Sequence, residues 1–103
     1  MATEALLLSP TDQVLQELSQ LLKLCDDRLR EQPMNTDALF TKALFLVRAG
    51  DSLRAIHYLH MITDIDPGYP GVWHAKAMVY RAMGKPAMAD LCVRVGSDFE
   101  AAM

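Results

Sequence analysis

The chain carries little with which to do chemistry. Its two cysteines, Cys25 and Cys92, form no C-x-x-C pair, and no Cys/His set has zinc spacing. They read as reduced thiols on apolar helix faces rather than as a mutual disulfide. There is no G-x-S-x-G, no phosphate-cradling glycine loop and no H-E-x-x-H. An enzyme reading has nothing to stand on, and neither a catalytic residue nor a cofactor is expected. Basic residues are not in excess: ten Lys and Arg against thirteen Asp and Glu leave a net charge of −3. Without a basic stripe, nucleic acid and anionic membrane surfaces are poor partners. Long apolar runs are also missing. Residues 1–8 lack a basic start, and their apolar stretch is too short for a signal peptide or a membrane span. The expectation is a cytoplasmic protein, or a soluble domain cut from a larger one. No segment alternates apolar and polar residues between turn signals, so no strand is expected.

Helix punctuation is plentiful. Ser9-Pro10-Thr11-Asp12 supplies a capping serine, a proline suited to the first helical position and a first-turn acid. Val14, Leu15, Leu18, Leu21, Leu22, Cys25 and Leu29 then recur at helical spacing, to a stop near Glu31 and Pro33. Asn35-Thr36-Asp37 caps a second helix that ends at Gly50. Asp51-Ser52 caps a third, ending at Asp66-Pro67. A fourth runs from about Pro70 to Met83 and stops at Gly84, and Pro86 opens a fifth. The 103 residues fit one all-α domain of about five helices.

The last four helices repeat. Shifted by 34 residues, Lys42-Ala43 falls on Lys76-Ala77, Gly50 on Gly84, Ala55 on Ala89, Leu39 on Trp73, Leu46 on Tyr80 and Leu59 on Val93. A fixed period of this size marks a helical repeat array, with small residues where helices approach closely and large ones where a gap is filled. The pattern resembles the tetratricopeptide repeat: Trp73-x2-Lys76-Ala77-x2-Tyr80 with Ala89-x3-Val93, and Leu39-x2-Lys42-Ala43-x2-Leu46 with Ala55-x3-Leu59 and Pro67. The resemblance covers residues 36 to about 97. It departs from the family pattern in the two lysines, which replace leucine, and in the missing closing proline of the last unit.

The resemblance implies a short right-handed α-solenoid of antiparallel helix pairs. Units would lie at 36–69 and 70–103, and residues 9–33 would be the second helix of a partial unit. On that reading Trp73 and Tyr80 are packing residues, buried against Ala89 and Val93, and the stems of Lys42 and Lys76 cross the core to put their ammonium groups in water.

The second helix has more apolar surface than one packing face needs. Leu39, Ala43 and Leu46 make that face, while Phe40, Leu44 and Val47 lie on another stripe. The resemblance places this stripe in a concave groove, where His74, Met78 and Arg81 of the next unit would join it. The other reading is a central helix covered on several sides. The groove lacks the lysine and asparagine that clamp a terminal carboxylate, since Arg48 and Arg81 are not equivalent by period. An apolar or amphipathic segment of a protein partner is the expected ligand, with a small chaperone shielding an aggregation-prone partner as the alternative. On the last helix Met88, Leu91, Val95 and Phe99 form a stripe without a polar cap, which points to a homodimer or to cover by another chain. His57, His60 and Asp64 have ligand-like spacing but fall on an outer helix, so no metal is expected there.

Overall fold

The computed structural model describes residues 12–102. Among these it contains five helices and no strand: α1 (Asp12–Glu31), α2 (Thr36–Arg48), α3 (Ser52–Ile65), α4 (Val72–Ala82) and α5 (Pro86–Ala102). None of them is long and apolar enough to cross a membrane. The expected capping serine and proline at positions 9 and 10 lie outside the described residues.

Local chemistry fixes the helix ends. The Asn35 side chain accepts from the Ala38 amide at 3.0 Å, and Asp51 accepts from the Arg54 amide at 3.2 Å. Each bond satisfies an amide that the first turn leaves without a partner. Gly50 and Gly84 follow α2 and α4 with φ of 78° and 72°. In both places the chain reverses through the same pair of bonds. Gly50 N–H donates to Val47 and Asp51 N–H to Leu46, while Gly84 N–H donates to Arg81 and Lys85 N–H to Tyr80. Only glycine takes this left-handed conformation without strain. The fourth helix begins at Val72 rather than near Pro70, because Gly71, at φ 82°, is left-handed and cannot belong to the first turn.

Each helix packs on its neighbours in the chain, most extensively in the pairs α2–α3 and α4–α5. Thr63 meets Lys76 while His60 meets Tyr80, so α3 and α4 run antiparallel. Ala43, Ala55, Ala77 and Ala89 are all fully buried, and Leu39, Leu59, Ile62, Val72 and Val79 fill the space around them. Each of those larger side chains contributes about 1.5–3 kcal/mol by leaving water. The molecule is elongated, 52 × 34 × 25 Å.

Trp73 departs from expectation. Tyr80 is buried, but Trp73 is only half-buried, and Val93 is exposed. The indole stacks on Phe99, with ring centroids 6.0 Å apart, and donates through Nε1 to the Pro67 carbonyl at 2.7 Å. Its first atoms press on Gly96, where an added Cβ would lie 2.9 Å from Trp73 Cβ. The indole rests on this glycine because α5 carries no side chain there to fill the space.

Gly96→Ala therefore destabilises the fold. Alanine favours a helix over glycine by about 1 kcal/mol, but the clash falls on Trp73 Cβ, which cannot rotate away. A net loss of about 1–2 kcal/mol is expected, read as a lower midpoint in urea unfolding.

Candidate functional site

The six expected groove residues fall into two groups. Phe40 and Val47 are half-buried and pack against the core, and Leu44 is half-buried. The 69–71 connection lies against Phe40 near the start of α2. The Tyr69 ring stands 5.2 Å from Phe40, and its hydroxyl donates to Asp37 Oδ1 at 2.6 Å. On α4 the outcome differs. His74, Met78 and Arg81 are exposed at helical spacing, while Val72, Ala75, Lys76, Ala77, Val79 and Tyr80 are buried around them. The exposed part of the expected stripe is therefore on α4.

The stripe on α5 is also divided. Met88 and Leu91 are exposed, Val95 is half-buried, and Phe99 turns inward onto Trp73. Only the first two are exposed.

Both lysines find partners instead of water. Lys42 Nζ pairs with Asp26 of α1 and is largely covered. Lys76 is 4% exposed, and its Nζ donates to Thr63 Oγ1 at 2.8 Å and lies 4.5 Å from the centre of the Trp73 ring. The preceding helix passes close enough to intercept each ammonium. Burial lowers the Lys76 pKa, opposed by Cys92 and Asp64, and burial raises that of the Cys92 thiol. The Thr63 hydroxyl completes the chain by donating to the His60 carbonyl at 3.1 Å. Spacing gave no sign of this network, which depends on which side chains α3 and α4 bring face to face. Cys25 and Cys92 are both free.

His57 is exposed, its ring edge-on to Tyr58. His60 Nε2 lies 3.3 Å from the Tyr80 hydroxyl, and burial, followed by the charge of Lys76, lowers its pKa. Among the described residues no three His, Cys, Asp or Glu side chains gather as metal ligands.

Two features were missed in the sequence. A cleft of about 280 Å³ opens between the 68–71 connection, the start of α4 and the end of α5, with Trp73, His74, Val93 and Phe99 in its walls. Helix α1 buries none of its residues, and Leu15, Leu18, Leu21 and Leu24 are exposed. Helix lengths held the signal for the second feature: α1 has 20 residues, about 30 Å, but the 13 residues of α2 that pack on it span only about 20 Å.

No family model, curated protein or solved structure matches the chain.

The Tyr69–Asp37 contact is testable by pH. Burial and the hydrogen bond to Asp37 push the Tyr69 pKa up to about 12, from an ordinary 10.0. A raised folded-state pKa gives stability that is complete below pH 10 and lost as pH climbs towards 12. Absorbance titration should show a phenol ionising near 12 that disappears in Tyr69→Phe and moves towards 10 in Asp37→Asn.

Proposed function

We propose that this chain is a protein–protein interaction module that binds an apolar or amphipathic segment along the exposed face of α4. One observation carries the reading. Met78 is 40% exposed between Ala77 and Val79, which are at most 1% exposed, on a helix that buries six of its eleven residues. A flexible thioether presented from so constrained a backbone offers adaptable apolar contact with little backbone freedom to lose. His74 and Arg81, on either side of it, add polar specificity at the rim. On this reading the half-buried Leu44 of α2 adds apolar surface, while Phe40 and Val47 pack against the core.

The same reading takes residues 36–69 and 70–103 as two units of a right-handed tetratricopeptide-like solenoid, with α1 as the second helix of a partial unit. The repeated alanines, the matching glycine stops and the sequential packing support it. Such a module works by binding, without catalysis or cofactor. A cytoplasmic setting suits Cys25 and Cys92 as free thiols, one half-buried and one buried.

Peptides selected from a random library against the full chain should carry apolar residues at helical spacing rather than acidic C-terminal tails. Met78→Glu should weaken the best of them by about 1–3 kcal/mol, measured by calorimetry, while leaving the circular dichroism spectrum unchanged. Selection of acidic tails, or an affinity indifferent to Met78→Glu, would overturn the assignment.

A further inference from the structure

Positions 34 residues apart describe two equivalent junctions, one filled and one open. At the inner junction α4 lies on α3, and Leu59 is 0% exposed. Its counterpart on α5, Val93, is 41% exposed. Thr63, which receives Lys76, has Ser97 as its counterpart, and Ser97 is exposed. Phe40, covered by Tyr69, has His74, which lines the 280 Å³ cleft. The cleft thus lies where an incoming helix and its leading side chain would sit.

The opposite end of the molecule offers an uncovered apolar helix, whose own counterparts by period are α3 and α5. Leu15, Leu18 and Leu21 of α1 are 49%, 40% and 51% exposed. We propose that the α4–α5 face seats the N-terminal half of α1 from a second copy, joining chains head to tail.

Charge favours this occupant. Asp26, His60 and Arg94 are equivalent by period. In both observed cases the residue meets a polar group of the next helix: Asp26 holds Lys42, and His60 meets the Tyr80 hydroxyl. Arg94 at that position calls for a carboxylate, and Glu17 flanks the α1 stripe four residues before Leu21. The head-to-tail contact is heterologous, so it extends into open chains unless a rotation closes it.

Light scattering and sedimentation of the full chain test the proposal. The wild-type mass should rise with concentration. Leu18→Glu alone and Val93→Glu alone should each remain monomeric and fully helical, since both residues are exposed. An equimolar mixture of the two variants should form dimers and nothing longer, because each variant keeps the end that the other has lost. A wild-type chain monomeric up to about 1 mM would overturn the proposal. So would a mixture that stays monomeric, or either variant assembling like the wild type. If Val93→Glu blocks assembly and Leu18→Glu does not, α1 is not the occupant.

Discussion

Four alanines set the distances on which the rest of the molecule depends. Ala43, Ala55, Ala77 and Ala89 are each fully buried, one on each of α2 to α5. A methyl group takes up little room between two helices, so alanine there lets the backbones approach and the larger residues pack around it. Leu39, Leu59, Val79 and Tyr80 join the same buried cluster. Interiors packed at crystal density accept such an arrangement only if every position holds the right volume. The two chain reversals at Gly50 and Gly84 serve the same end, because each returns the chain through one pair of hydrogen bonds and so fixes where the next helix lands.

Close approach also decides the fate of the polar residues. Lys76 is drawn under α3, and its ammonium survives burial because Thr63 accepts from it and the Trp73 ring lies beside it. Lys42, the counterpart of Lys76, meets Asp26 of α1, one turn from the place that corresponds to Thr63, so the lysine position is shared while its partner is not. A buried ion is a weak source of stability but an effective selector of register, since a shifted helix would leave it unpaired. The open face of α4 follows from the same packing. With six residues of that helix turned inward, His74, Met78 and Arg81 are left outside.

Much of the scaffold was legible in the sequence. Caps at Asn35 and Asp51, stops at Gly50 and Gly84, and paired alanines all follow from local rules, and local rules act within one helix or one turn. The candidate site was legible only in part. Periodicity shows that Phe40 and His74 are equivalent, but not that Tyr69 covers one and leaves the other open. It places Leu59 and Val93 in the same slot, but not that α4 buries the first while the second faces solvent. It marks Val14 to Leu29 as one helix face, but not how far α2 reaches along it. Each of these depends on what a neighbouring element does, and the periodicity of one helix carries no record of it.

The central claim is that residues 36–66 and 70–100 are two copies of one packing solution, each closed through its own small-residue contact. Urea unfolding of Ala43→Leu and Ala77→Leu, with exposed Ala82→Leu as control, tests this most directly. Both buried substitutions should lower stability to a similar degree, by about 1–3 kcal/mol, and the control should lie within about 0.5 kcal/mol of wild type. If one of the two alanine sites accepts leucine as easily as position 82 does, the helices at that site are not held together by a close contact and the two units are not equivalent.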